Sequence, residues 1–233
     1  MSATPSWWLD EAAHAGAEHL DPSYVAGYEQ KAGYDPSDDV GVLAGLGIGA
    51  DSTVVDLGAG TGVFTEAIAA LAGAVVAVDV SPAMVEVLHR RVAERRLDNV
   101  TVAHAGFLSY EHDGSPADAV FTRNALHQLP DLWKVIALDR IAGIVRPGGI
   151  LRLHDLVFDF DADEAHERIE AWMSGAVDDP AVGYTGADLA EHVRAEFSTY
   201  RWLFEPMLDR AGFEIIDVAY VRAAYGAYTC RRR

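Results

Sequence analysis

The sequence predicts an α/β protein with a mostly parallel sheet, and three observations lead to that prediction. From about residue 53, short runs rich in valine alternate with longer segments of helical periodicity, which is typical of βαβ units. A glycine-rich turn joins the first run to the first helical segment. Half of the 233 residues are hydrophobic, the balance of a globular chain with a full core. We expect a single domain over residues 1–233.

Five strands are predicted in this region, at residues 53–57, 74–79, 100–103, 117–121 and 150–154. A helix is expected after the glycine turn, ending near Leu71. The next helix has Ser81 as its N-cap and Pro82 at its first position, and it continues to about Arg96. A third helix, over residues 131–145, is expected to stop at the Arg-Pro-Gly-Gly turn of residues 146–149.

Helical segments precede and interrupt the alternating pattern. Residues 1–52 are expected to form an N-terminal helical extension, and residues 156–211 a helical insertion after the fifth strand. Within the insertion, Thr185 and Asp188 have the spacing of a capping box before a helix over residues 189–197. Strand character returns at residues 213–218 and 223–230, which predicts a hairpin at one edge of the sheet.

The charge balance and the single cysteine argue against several classes of protein. With 36 acidic and 18 basic residues, the chain carries a net charge of −18, which disfavours nucleic acids and anionic membranes as partners. No run reaches the roughly 18 apolar residues of a membrane span, and the first residues lack the pattern of a secretory signal. Cys230 has no second cysteine with which to form an internal disulfide. We therefore expect a soluble cytoplasmic protein, and its oligomeric state stays open.

The most informative segment is the loop after the first strand, which reads Gly-Ala-Gly-Thr-Gly over residues 58–62. A dinucleotide fingerprint is G-x-G-x-x-G and would need its third glycine at Val63. Asp56 stands two residues before the loop, where a carboxylate suits a ligand that carries an ammonium group. Asp79 ends the second strand, where an acid can accept hydrogen bonds from both ribose hydroxyls. Together these features predict a site for adenosine with a charged amino-acid tail.

Four segments, in order, resemble the class I S-adenosylmethionine-dependent methyltransferases. They are VVDLGAGTG at residues 54–62, VVAVDVSPAMVE at 75–86, ADAVFTRNALHQLPD at 117–131 and IVRPGGILRLHD at 144–155. The resemblance implies a Rossmann-like three-layer sandwich whose seven-stranded sheet has the order 3-2-1-4-5-7-6, with the seventh strand antiparallel. It also implies S-adenosylmethionine as the methyl donor and S-adenosylhomocysteine as the product.

The resemblance also assigns residues to the cofactor. The thirteen positions are Tyr28, Asp56, Gly58, Ala59, Gly60, Thr61, Asp79, Val80, Met84, Gly106, Phe107, Asn124 and Ala125. Asp79 is assigned to the ribose, and Tyr28 to a helix that closes over the site, with ordinary helix packing as its alternative. Many members of the family have an acid after the third strand, but this chain has none from His104 to Leu108. Backbone groups of Gly106 and Phe107 are therefore expected to contact the adenine.

Two histidines at the carboxyl ends of strands are candidate proton acceptors. Methyl transfer from a sulfonium depends mainly on alignment, but an oxygen, nitrogen or carbon acceptor can need a base. His127, after the fourth strand, is the first candidate, and a structural role in its loop is the alternative. His154 beside Asp155 is the second, although neighbouring strand residues point to opposite faces. The acids that follow His154, including those at 159 and 161, match no metal-ligand spacing, so no metal site is predicted.

The expected methyl acceptor is a small molecule, and the atom that is methylated stays open. Residues 155–180 hold nine acids and one arginine, a charge that repels nucleic acids and suits a neutral or cationic acceptor. Some aromatic residues of the insertion are expected to line the acceptor pocket, from the set Trp172, Tyr184, Phe197, Tyr200 and Trp202. Two alternatives remain: a protein that binds the cofactor without methyl transfer, and an NAD-dependent oxidoreductase.

Overall fold

One mixed sheet forms the centre of the protein, whose computed structural model describes residues 5–233 apart from the side chain of Ala17. Its strands are β1 Thr53–Leu57, β2 Ala74–Asp79, β3 Val100–His104, β4 Ala117–Arg123, β5 Val145–Phe158, β6 Thr199–Tyr200, β7 Phe213–Val221 and β8 Tyr225–Arg232. The main path has the order β3-β2-β1-β4-β5-β8-β7, and β6 pairs with β5 outside this path. The predicted sheet order is confirmed, because β7 and β8 are the predicted sixth and seventh strands.

Strands β1 to β5 are parallel where they pair, whereas β8 is antiparallel to both of its neighbours. Successive residues of β1 face different hydrophobic cores, because side chains alternate along a strand. Val54 packs in one core with Phe64, and Val55 packs in the other with Leu138. Both faces of the sheet are therefore covered, which accounts for the valine-rich, nearly continuous apolar strands.

The helices that cover the sheet have the following bounds: α1 Pro22–Val25, α2 Tyr28–Ala32, α3 Ser37–Gly45, α4 Val63–Ala69, α5 Pro82–Arg95, α6 Asp131–Ile144, α7 Ala165–Met173, α8 Gly186–Ala195 and α9 Arg201–Arg210. Short 3-10 turns occur at Ala12–His14, Ala17–Leu20 and Leu126–Gln128. Helices α3 and α4 contribute to the core on one face, and α6 and α9 to the core on the other. Among residues 5–233, no helix combines the length and the apolar character that crossing a bilayer requires.

Local signals begin two helices at the expected places. The Ser81 side chain accepts a hydrogen bond from the Met84 N–H at 3.2 Å, with Pro82 at the first position of α5. Thr185 and Asp188 form the predicted capping box of α8. That helix begins at Gly186 and ends at Ala195, so it lies slightly earlier in the chain than predicted.

The fifth strand is longer than predicted at both ends, and the predicted bounds of this segment were wrong. β5 begins at Val145, which pairs with Ala117, and the next pair joins Ile150 to Ala119. The Arg-Pro-Gly-Gly segment is thus an irregularity within the strand, where Gly148 has a φ of 76° in the left-handed region that favours glycine. The strand also continues to Phe158, so the helical insertion starts after that residue and not at 156.

The carboxyl ends of β1, β2, β4 and β5 meet at one edge of the sheet, where ligands of open α/β folds bind. The N-terminal extension and the insertion approach each other over this edge. Lys31 on α2 pairs with Asp188 on α8 at 3.2 Å. The Lys31 ammonium also lies over the rings of Tyr24 and Tyr184, 4.9 and 5.0 Å from their centroids. The N-terminal extension and the insertion, which are far apart in sequence, therefore both cover this edge of the sheet.

Candidate cofactor and acceptor site

The loop between β1 and α4 has a backbone that requires its glycines. Gly58, Gly60 and Gly62 have φ values of 79°, 56° and 87°, in the region that side chains with a Cβ rarely adopt. The N–H groups of Gly58 and Ala59 both donate to the Val78 carbonyl, at 2.8 and 2.9 Å. A Cβ at Gly58 would lie 2.7 Å from the Ala125 Cβ. The loop is therefore held tightly against β2 and against the segment after β4.

Asp79 ties this loop to the end of β2. Its two carboxylate oxygens accept hydrogen bonds from the Gly60 N–H at 2.7 Å and from the Ser81 N–H at 2.8 Å. The side chain is buried, and burial raises the pKa of its carboxyl group above the ordinary value. A carboxylate held in this way by two backbone donors has a fixed position at the rim of the cavity beside the loop.

Asp56 lies deeper, within β1. Its carboxylate accepts a hydrogen bond from the Thr65 hydroxyl at 2.5 Å. Burial is the main reason that the pKa of Asp56 is raised to about 7, and the nearby Asp79 charge raises it further against the Thr65 hydrogen bond. A buried carboxyl poised near neutral pH gains from a cationic ligand group, which would favour its ionised form.

Two cavities meet at the glycine loop. The first is lined by ten of the thirteen predicted cofactor residues: Tyr28, Gly58, Gly60, Asp79, Val80, Met84, Gly106, Phe107, Asn124 and Ala125. The second is lined by Asp56, Ala59 and Thr61 and shares Tyr28, Gly58, Gly60 and Asn124 with the first. The structure thus brings all thirteen positions around one pair of adjoining cavities.

Glu11 is a site residue that sequence reasoning missed. Its carboxylate accepts a hydrogen bond from the Leu108 N–H at 2.9 Å and contacts the Ser109 hydroxyl. It lies so close to Gly106 that a Cβ there would collide with it. An acid from the N-terminal extension thus lies where the segment after β3 has none, and it lines the first cavity.

A third cavity adjoins the two cavities beside the glycine loop through Tyr28 and Asn124, which line all three. Four tyrosines and three histidines contribute to its wall, together with Glu18, Asn124 and Leu156; the aromatic and imidazole residues are Tyr24, Tyr28, Tyr184, Tyr225, His19, His127 and His192. Of the insertion aromatics, Tyr184 lines this cavity, whereas Trp172 belongs to a hydrophobic core. This cavity is the candidate acceptor pocket.

His127 lines the third cavity but both of its ring nitrogens are engaged. Nδ1 contacts the Asp155 carboxylate at 2.5 Å, and Nε2 lies 3.2 Å from the Glu196 carboxylate. Burial alone lowers the pKa of His127, but the two carboxylates outweigh burial and raise it to about 10. The ring therefore holds a proton at neutral pH in this arrangement, and acting as a base would require the Glu196 contact to open.

His154 points to the other face of the sheet from Asp155, as expected for neighbours on a strand. Its Nε2 contacts the Asp39 carboxylate at 2.6 Å, which also accepts from Arg152 Nε at 2.8 Å. Burial lowers the pKa of His154 in spite of the Asp39 carboxylate. The sequence-adjacent pair His154 and Asp155 thus belongs to two different clusters, and the acid that contacts His127 is Asp155.

Comparisons with known proteins show similarity to methyltransferases in sequence and in fold. Residues 54–149 match a family model described as a methyltransferase domain. An uncharacterized methyltransferase of Anoxybacillus flavithermus is 27% identical over 164 residues, which is 70% of either chain. A demethylmenaquinone methyltransferase of Clavibacter sepedonicus is 36% identical over 100 residues, or 43% of this chain and 39% of that protein. A SAM-dependent methyltransferase structure from Aquifex aeolicus has a similar fold, with a TM-score of 0.62, 19% identity, and coverage of 91% of this chain and 99% of that one.

Proposed function

We propose that this chain, whose residues 54–149 match a methyltransferase domain and whose fold resembles that of S-adenosylmethionine-dependent methyltransferases, transfers a methyl group from S-adenosylmethionine to a small-molecule acceptor. The observation that carries this proposal is the continuity of three cavities. Tyr28 and Asn124 line the two cavities beside the glycine loop and also the third cavity. A donor at the loop and an acceptor in the third cavity would therefore be close neighbours, as an in-line displacement requires.

The residues around the loop suit each part of the cofactor. When bound, the sulfonium supplies an activated methyl group with a good leaving group, so the protein needs chiefly to position donor and acceptor. Asp79, fixed by two backbone donors, would accept from the ribose hydroxyls. Asp56 would face the ammonium group, and Glu11 would offer its carboxylate to the adenine amino group, which is a hydrogen-bond donor. The backbone groups of Gly106 and Phe107 would contact the adenine edge.

The third cavity favours a small acceptor. It is a concave site lined mainly by tyrosine and histidine side chains with the carboxylate of Glu18 among them, which is typical of pockets that hold small ligands. The overall charge of −18 opposes a nucleic-acid substrate. The Clavibacter relative is named for a small acceptor, demethylmenaquinone, which supports the same class of substrate without identifying the one used here.

His127 is the residue that we propose for proton transfer, acting together with its carboxylate partners. It lies at the wall of the third cavity, whereas His154 is held by Asp39 on the other face of the sheet. An acceptor whose polar atom displaces Glu196 from His127 Nε2 would free that nitrogen, while Asp155 keeps the ring oriented through Nδ1. His154 is the weaker candidate because of its position.

Calorimetric titration with S-adenosylmethionine, S-adenosylhomocysteine and NAD in parallel tests the cofactor assignment. We expect micromolar binding of the first two and none of NAD; binding of NAD alone would overturn the proposal. The acceptor is then sought in a panel of phenols, amines and quinols by detecting S-adenosylhomocysteine. Cofactor binding without turnover of any small acceptor, but with transfer to nucleic acid or protein, would contradict the small-molecule assignment. Cofactor binding with no transfer at all would favour a binding protein.

A further inference from the structure

Two histidines and a glutamate converge beside the third cavity. His127 Nε2, His192 Nδ1 and an oxygen of Glu196 all lie within 4.8 Å of one another. His127 belongs to the turn after β4, whereas His192 lies on α8 and Glu196 directly follows that helix. Histidines and carboxylates in such a set are the ligands of divalent transition metals.

We propose that His127, His192 and Glu196 form a binding site for one divalent transition-metal ion of the zinc and cobalt type. The proposal goes beyond methyl transfer, and metal binding is measured without cofactor or acceptor. A bound ion would occupy His127 Nε2, so the metal-bound protein could not use that nitrogen for the proton transfer proposed above. The metal class follows from the ligands: two imidazoles and one carboxylate suit zinc, cobalt or iron, whereas magnesium and calcium prefer oxygen ligands alone.

The ligand spacing agrees with a metal site. A tetrahedral zinc ion with bonds of about 2.0 Å has ligand atoms about 3.3 Å apart, and His127 Nε2 lies 3.2 Å from the Glu196 carboxylate. His192 Nδ1 contacts the same carboxylate, so a small rotation of Glu196 would admit the ion between the three side chains. The four-residue spacing of His192 and Glu196 places both on one side of the end of α8.

Neighbouring side chains hold the three proposed ligands in position, as is common around bound metal ions. Asp155 contacts His127 Nδ1 at 2.5 Å, which directs the Nε2 lone pair toward the cluster, and such a carboxylate–histidine pair is the common outer support of a bound metal. Gln128 Nε2 donates to the other oxygen of Glu196 at 3.0 Å. These contacts leave one face of the cluster toward the third cavity, which His127 and His192 both line.

The charges in this buried cluster also favour a dication. Asp155, Glu196 and His127 have side chains no more than 10% exposed, and His192 is 17% exposed. Metal ligation requires imidazoles without the additional proton, and the two buried carboxylates then carry two negative charges that are costly in a medium of low dielectric constant. One divalent ion would neutralise both charges. The competing arrangement keeps the proton on His127 and forms an ion-pair network without metal.

The experiment titrates Co²⁺ into chelator-treated protein that carries no histidine tag, followed by calorimetry and visible absorption. We expect one equivalent to bind and to give the d–d bands of cobalt in a site of low coordination number. The variants His192→Ala and Glu196→Gln should lower Co²⁺ affinity by more than about 100-fold, and Asp155→Asn by about 10- to 100-fold. His166→Ala is the matched control, because His166 is an exposed histidine on α7, and it should bind Co²⁺ like the wild type.

X-ray absorption at the zinc edge identifies the metal ligands in zinc-loaded wild-type protein. This result does not depend on whether the variants fold. Two imidazole nitrogens at about 2.0–2.1 Å with one carboxylate oxygen are expected. Absence of stoichiometric Co²⁺ or Zn²⁺ binding by the wild type would overturn the proposal in favour of the proton-bearing network. Binding that survives undiminished in folded His192→Ala and Glu196→Gln variants would place the metal elsewhere and overturn it as well. Neither result would bear on cofactor binding.

Discussion

The protonation of Asp56 predicts that cofactor affinity depends on pH in a defined way. In the free protein the pKa of this carboxyl is raised to about 7, so near pH 6 about nine molecules in ten hold the proton. An ammonium group placed beside Asp56 favours the ionised form and lowers that pKa in the complex. Binding below pH 7 therefore releases a proton, and affinity rises with pH until about 7, where it levels off.

The size of this change in affinity with pH can be calculated for a single titrating group. A pKa of about 7 in the free protein and a much lower one in the complex make the dissociation constant about eightfold larger at pH 6.0 than at pH 7.5, or about 1.3 kcal/mol. Asp79 also has a raised pKa because of burial, so it can add to the slope. The Asp56→Asn variant separates the contributions of Asp56 and Asp79, because it removes only the part of the pH dependence that comes from Asp56.

Calorimetry with S-adenosylmethionine at both pH values, in buffers of different ionisation enthalpy, measures affinity and proton release together. We expect the wild type to release close to one proton at pH 6.0 and Asp56→Asn to show a clearly flatter pH profile. Identical profiles for the two proteins, or uptake of a proton by the wild type, would refute the assignment of Asp56 to the ammonium end.

The raised pKa of Asp56 also makes the stability of the folded protein depend on pH, which can be measured without the cofactor. The folded-state pKa of about 7 lies above the ordinary aspartate value of 3.8, so the stabilising contribution of this group is present below about pH 4. It is lost as the pH rises through 7, because an ionised carboxylate is then buried. The gap corresponds to at most about 4 kcal/mol. Asp56→Asn should therefore raise the Tm relative to wild type more at pH 8 than at pH 5.

Four further substitutions test the site and its support. Asp79→Ala should weaken S-adenosylmethionine binding at least about tenfold, about 1.4 kcal/mol, and an unchanged dissociation constant would end the ribose assignment. Glu11→Gln should weaken S-adenosylhomocysteine binding about tenfold, with a smaller loss for the inosyl analogue, which lacks the amino group; equal losses would remove Glu11 from adenine recognition. His127→Asn should lower turnover about 10²-fold and leave cofactor affinity within about twofold, so full activity would return His127 to a structural role. Asp39→Asn should reduce the free energy of unfolding by about 3 kcal/mol in urea titrations, because it deprives buried Arg152 of its carboxylate; a loss below about 1 kcal/mol would contradict that account.

The parts of the fold that could be predicted from the sequence are those with local causes. The strands β1 to β4 each come from a short apolar run, and α5 begins where Ser81 and Pro82 supply its cap and first turn. The bounds of β5 could not be found in the same way, because its irregular segment contains a proline and Gly148 at positive φ, which in isolation indicate a turn. Pairing with β4 and β8 outweighs these local preferences.

The candidate site, like the fold, has one part that local sequence predicts and another that depends on contacts between distant segments. The glycine loop and Asp79 lie within one βαβ unit, so their spacing alone predicts an adenosine site. Glu11 reaches the segment after β3 from 97 residues away, as the separation from Leu108 shows. Its role depends on how the N-terminal extension folds back over the sheet, and no periodicity or motif marks it.

The proposed acceptor pocket depends still more on contacts between distant segments, which leave no local pattern in the sequence. Asp155 meets His127 across 28 residues, and Gln128 meets Glu196 across 68. Lys31 and Asp188 join the extension to the insertion over a separation of 157. Tyr28, which lines all three cavities, belongs to the same extension, so a cofactor that orders α2 would also shape the acceptor pocket. The proposed donor and acceptor sites would thus be coupled through the segments least specified by local sequence, and variation there would change the acceptor without disturbing the glycine loop.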